Sequence, residues 1–254
     1  MEGLSEAARR ALEDGRVTVQ SHLVEIATAF RKAGVPINDL LNLMVPGISY
    51  KPIDGVNLPL GVQWEAKGDA HELFEFVEAG ALNWIEWFLT RHEKLRIRVC
   101  DVAARAGNLD VLRWARERDF PWNELTCSNA ASVGRLDILE WSRDHGCPWG
   151  EWTCSHAAAG GHLRVIEWAR ERGCPWNEDT CSFAADGGHL EVIKWARAHG
   201  CPWDEDTCSN AAKASHLEVL KWARAHGCPW RKEDCADAYD PEVRAWVLRP
   251  DAGD

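Results

Sequence analysis

Four stretches of this chain are nearly the same stretch. Thr126–Trp149 reads TCSNAASVGRLDILEWSRDHGCPW, and Thr153–Trp176 reads TCSHAAAGGHLRVIEWARERGCPW. Thr180–Trp203 and Thr207–Trp230 repeat the pattern. A tryptophan recurs at Trp87, Trp114, Trp141, Trp168, Trp195 and Trp222, always 27 residues on. A period of this length means a solenoid, in which each unit buries its apolar face only against its neighbours.

The period also sets the ends of the array. It begins near Gly68, where HELFEFVEAGALNWIEWFL holds the register with Leu73 at the cysteine place, and the next copy is almost in full form. The last copy, CADAYDPEVRAWVL, is three residues shorter and has Pro241 near the place of the Gly-His turn, as an atypical terminal unit would. We therefore expect a repeat domain over 68–248, a frayed tail over 249–254, and an N-terminal helical cap over 1–67. In the cap, two helices end on Gly15 and Gly34, a short apolar helix follows Pro36, and 48–67, with Pro52, Gly55, Pro59 and Gly61, reads as a loop.

Within a unit, Asn177 or Asp204 after the loop tryptophan is placed to cap a helix, with acids in the first turn where the dipole favours them. The first helix reads as short and rich in small residues (CSFAAD), so neighbouring helices approach closely. In the second helix Leu190, Val192, Ile193, Trp195 and Ala196 form an apolar stripe wide enough to contact helices on two sides, and Glu191, Lys194 and Arg197 take the wet face. Gly200 ends it.

A net charge of −11 argues against a nucleic-acid backbone or an anionic membrane as partner, and much of it is explained by helix starts. No stretch approaches the ~20 apolar residues of a membrane span. The first residues, MEGLSEAARRALEDG, lack an apolar signal core, so we expect a cytoplasmic or otherwise intracellular protein, not secreted, with reduced thiols. The cysteines repeat a C-x6-C spacing, as in Cys147/Cys154 and Cys174/Cys181. Zinc sites use a tighter spacing, and cysteines on helices ~8–10 Å apart do not share a metal. We read them as small core groups, with a redox- or metal-responsive cysteine array as the alternative. The two tryptophan ladders are expected in the core, and His162, His189 and His216 are expected to brace turns, since Asn108 and Arg135 fill the same place in sister units.

These residues carry a family likeness. The string AAxxGHLEVhKWAxxxG resembles the ankyrin repeat, whose usual pattern reads T-P-L-H-x-A-A, then G-H-L-E-V-V, then A-G-A-D-V-N. Cys181 stands at the family's first core Leu and Ser182 at its His; Trp195 replaces a core Leu, and Gly200-Cys201-Pro202-Trp203 replaces G-A-D-V. The match covers 68–248, about seven units, and is similar to the short Trp- and Cys-rich variety found in protist, algal and giant-virus proteins. Ordinary ankyrin repeats have 33 residues. The resemblance implies an all-α, ankyrin-like helical solenoid whose inter-repeat hairpins are shortened to tight loops. It also implies a concave groove that binds a partner. Residues 1–67 carry no such likeness.

No phosphate-binding glycine loop, G-x-S-x-G or H-E-x-x-H is present. The expected function is that of a non-enzymatic scaffold, monomeric on its own and without cofactor or metal, that binds another protein; an enzyme within 1–67 is the remaining alternative. Copies inside one chain share the same packing demands, so places where they disagree are freed from packing. One is the row Asn129, His156, Phe183, Asn210; a second, before the Gly-His turn, includes Asp186 and Lys213. A third is Trp152, whose sisters are Leu125, Asp179, Asp206 and Glu233. Asn129, Trp152, His156, Phe183, Asp186, Asn210 and Lys213 are thus the candidate partner-binding residues, with Phe183 and Trp152 as exposed anchors.

Overall fold

The structure, a computed structural model, describes residues 50–53, 56–59, 70–80, 82–236 and 238–249. The expected helices of the N-terminal cap and residues 250–254 of the tail lie outside the described residues. Within 48–67 the described part is not loop but an antiparallel pair of strands, β1 (Tyr50–Ile53) and β2 (Val56–Pro59), in the register Tyr50↔Pro59 to Ile53↔Val56. Asp54-Gly55 stands between them in sequence, the dipeptide that two-residue hairpins favour.

Two compact units divide the chain, Met1–Pro121 and Trp122–Asp254. The first contains the strand pair, α1 (Ala70–Ala79), α2 (Leu82–Arg91), a 3-10 turn (Glu93–Arg98), α3 (Val99–Arg105) and α4 (Leu109–Glu117). Leu73, Val77, Ile85, Phe88, Val99 and Leu112 fill its core. The second contains five helix pairs: α5 (Glu124–Ser132) with α6 (Leu136–Asp144), α7 (Glu151–Ala159) with α8 (Leu163–Glu171), α9 (Asp179–Asp186) with α10 (Leu190–Ala198), α11 (Glu205–Lys213) with α12 (Leu217–Ala225), and α13 (Lys232–Ala236) with α14 (Pro241–Val247). The first helices of successive pairs pack on one another in order, α5 on α7, α7 on α9, α9 on α11 and α11 on α13, and each full pair packs internally. The described residues are thus mainly helical, and within the second unit the pairs are stacked in chain order, as in an α-solenoid. None of the described helices is long and apolar enough to cross a membrane.

The first helix, α9, has eight residues against nine in α10, whereas α7 and α8 are nine each. The inner face of α7 is Thr153, Cys154, Ser155, Ala157 and Ala158, all buried, small enough for the helices on either side to close against it. Asp204 caps α11 as expected, accepting from the backbone N–H of Asp206, and Asn123 caps α5 in the same way through the N–H of Leu125. Asn177 does not cap α9. Its amide instead donates to Glu151 of the preceding unit and to Asp179. The terminal helix α14 is capped by Asp240, with Pro241 in its first turn.

The tryptophans are a correction. Trp114 is buried, 7% exposed, but Trp141, Trp168, Trp195 and Trp222 are only half-buried, as are Trp149, Trp176, Trp203 and Trp230. The space between paired helices is taken by alanine and cysteine, which leaves the indoles to cover the cluster from its rim. Cys154, Ala169 and Cys174 form one such cluster under Trp149, Trp168 and Trp176. Each loop indole meets the next helix indole edge to face: Trp149 with Trp168 at 5.8 Å, Trp176 with Trp195 at 6.0 Å, Trp203 with Trp222 at 6.1 Å. Arg197 does not face water either. It lies 4.1 Å over Trp203 and donates to the Cys201 carbonyl, and Arg143, Arg170 and Arg224 do the same in their units. The recurrence of that arginine two residues after the helix tryptophan in five successive copies, Arg116 to Arg224, was the available signal.

The histidine ladder fixes the turns. His162, His189 and His216 donate from Nε2 to the carbonyls of Ser132, Ala159 and Asp186, 30 residues back, at 3.2, 3.0 and 2.9 Å. Asn108 makes the equivalent bond to Val77 at 2.9 Å and also caps its helix.

Candidate functional site

With the scaffold roles assigned to alanine, cysteine, arginine and the turn histidines, the outer face of the first helices is left. Trp152, the second residue of α7, is 50% exposed. One turn on, His156 is half-buried, and Phe183 of α9 comes alongside both. The rings of Trp152 and His156 are 5.6 Å apart, those of Trp152 and Phe183 6.0 Å, and those of His156 and Phe183 6.3 Å and nearly parallel. Three of the seven predicted residues therefore form one aromatic cluster across two units.

The other four flank it. Asn129 and Asn210 occupy the same place as His156 and Phe183 on α5 and α11, both half-buried. His156 hydrogen-bonds the backbone of Ser128, and Asn210 donates to the Ser182 carbonyl at 3.4 Å, so the row is partly structural. Phe183 has no donor for that bond and stacks on His156 instead, so it is a packed rather than a free-standing anchor. Asp186 and Lys213 end α9 and α11 and are exposed. Leu125, at the place of Trp152 one unit earlier, is 48% exposed and extends the face. Its apolar character among acidic sisters was the signal.

His156 is the titratable member. Burial pushes its pKa below the ordinary imidazole value, against the opposing pull of the Ser128 backbone bond, and its Nδ1 is shielded from solvent with no partner. The neutral imidazole is thus the form that suits the cluster.

The cysteines pair differently from their sequence spacing. Cys154 is clustered with Cys174 and Cys181 with Cys201, and Cys208 faces Cys228, rather than the C-x6-C partners. The neighbouring thiol as hydrogen-bond partner, followed by burial, pushes Cys154, Cys181 and Cys208 far above the usual thiol range, and burial first, then Asp234, pushes Cys235 up to about 11. The loop thiols donate to carbonyls of the preceding unit, Cys147 to Asn123 at 3.4 Å and Cys201 to Asn177 at 3.4 Å. All ten cysteines are buried and free of disulfides, and among the described residues no group of three or more His, Cys, Asp or Glu is placed to hold a metal ion. Protonated, buried thiols are packing groups.

A second concavity of about 410 Å³ lies between α8 and α10, lined by Glu167, Arg170, Glu171, Trp176, Trp195 and His199. Its aromatic walls are already occupied. Arg170 lies 4.1 Å over Trp176, and His199 stacks on Trp195 at 4.1 Å. The first-helix face is therefore the better candidate. Against known proteins, the sequence matches no protein-family model and no curated protein.

Proposed function

We propose that the chain is a non-enzymatic scaffold of ankyrin type that binds another protein across the first-helix face of its stacked units. The observation that carries this reading is the half-exposed cluster Trp152–His156–Phe183, three aromatic rings at places where other units hold Leu, Asn, Asp or Glu. Aromatic side chains presented on rigid helices give a large contact area at small entropic cost, the property of binding hot spots. The repeat pattern over 68–248 supports the family reading, and the shortened loops direct recognition to helix faces rather than to hairpin fingers. The buried thiols suit a reducing compartment, and the acidic charge suits a protein rather than a nucleic-acid partner.

The test begins with capture of a partner from the source cell. Affinity and melting temperature are then measured for Phe183→Ala and Lys213→Glu. Weaker binding at nearly unchanged melting temperature is expected. Unchanged affinity, or stability falling in step with affinity, places the site elsewhere.

A further inference from the structure

The repeat place held by Trp152 changes character along the stack. It reads Leu125, Trp152, Asp179, Asp206, Glu233, one residue per unit. These residues lie at the starts of α5, α7, α9, α11 and α13, which pack in that order. Leu125 and Trp152 are about half exposed, Asp179 is half-buried, and Asp206 and Glu233 are exposed. Phe183 joins the apolar end through its contact with Trp152 at 6.0 Å. One continuous face therefore has an apolar end and an acidic end. Carboxylates outnumber cations at the latter: the Asp204 carboxyl is pushed above its usual range by burial and then by Asp206, Glu178 and Glu205, while Arg231 pairs with Glu205 and Asp234. These carboxylates are not grouped to hold a metal ion. Their complement is a row of separated cations.

Resting on the reading of this face as the binding surface, we infer that its occupant is an extended protein segment with apolar side chains at one end and Lys or Arg at the other. The spacing follows from the stack. Neighbouring helices lie ~8–10 Å apart and an extended chain advances ~3.3 Å per residue, so about three residues of the segment span one unit. An apolar pair three residues apart seats over Leu125 and over Trp152 with Phe183 beside it; basic residues at the next three-residue steps meet Asp179, Asp206 and Glu233. Charge pairs at such a rim set orientation and association rate more than total affinity.

Selection from a random 15-residue displayed-peptide library on the full-length chain tests this. Binding of selected peptides is then measured on the parent, Trp152→Ala/Phe183→Ala and Asp206→Lys/Glu233→Lys proteins at low and high salt, with melting temperatures alongside. Expected are peptides with an apolar pair and Lys or Arg at three-residue steps. They lose about tenfold or more on either double variant, and salt weakens them. Peptides that depend on Trp152 and Phe183 but lack basic residues and ignore Asp206→Lys/Glu233→Lys overturn the inference while leaving the binding face standing. Peptides indifferent to Trp152 and Phe183, or a selection that yields none, overturn the binding face itself.

Discussion

At the scale of single residues, identical amino acids in this repeat have unlike duties. Gly161 and Gly173 both hold a positive φ, +71° and +77°. A Cβ on Gly161 would stand 2.5 Å from Nδ1 of His189, whereas a Cβ on Gly173 meets nothing within 4 Å. The chain itself supports the distinction. Ser215 takes the Gly161 place with φ 66°, and the unit after it has Asp240 rather than histidine at the start of its second helix; Asp119 takes the Gly173 place with φ 57°. Gly173→Ala should therefore cost about 1 kcal/mol, from backbone conformation alone. Gly161→Ala should cost about 2–4 kcal/mol, from conformation plus overpacking. Denaturant melts of Gly161→Ala, His189→Ala and the double variant check the cause: the pair should be strongly non-additive, and additivity would show that the histidine is not what excludes the side chain.

His156 gives a second residue-scale prediction. Its folded-state pKa is depressed, so the folded protein binds fewer protons there than the unfolded chain. Its stabilising effect is complete above the unfolded value, ~6.5, and is lost as pH falls below it. Melting temperature should drop between about pH 7 and pH 5, and His156→Gln should flatten that drop; an identical pH profile in the variant would remove His156 as its source.

At the scale of elements, the helix pairs were legible because the stripe of Val192, Ile193 and Ala196 and the small face of the first helix follow directly from spacing, and all are buried. The terminal unit was legible too, from Pro241. Two features were not. The cysteine pairing escaped because Cys154 meets Cys174 across the turn of its own unit, a contact that spacing along the chain does not encode. Indole burial was overestimated, since a fixed repeat place marks a residue as structural without saying whether it fills the core or covers it. The last point changes an energy. A fully buried tryptophan costs about 3–5 kcal/mol when truncated; for half-buried Trp168, which covers Cys154 and Cys174, about 2–3 kcal/mol is expected. Trp152→Ala should cost less than about 1 kcal/mol. Equal losses in the two variants would contradict the assignment of one to the scaffold and the other to the surface.

At the scale of the whole molecule, the candidate face was found by disagreement among copies, which is a sequence observation, but its assembly was not. That Trp152, His156 and Phe183 meet depends on α7 and α9 being neighbours with a one-turn offset, and that the row of Trp152 runs from apolar to acidic matters only once the first helices are stacked in order. Stability in this arrangement comes from packing between units, so excess chelator under reducing conditions should leave helicity and melting unchanged; cooperative loss of structure would mean that the cysteines hold an ion. The central claim, that this face binds a protein, is tested most directly by the affinity of Trp152→Ala/Phe183→Ala for the captured partner. The account predicts binding weakened about tenfold or more with a melting temperature close to that of the parent. Undiminished affinity in a folded double variant would contradict it.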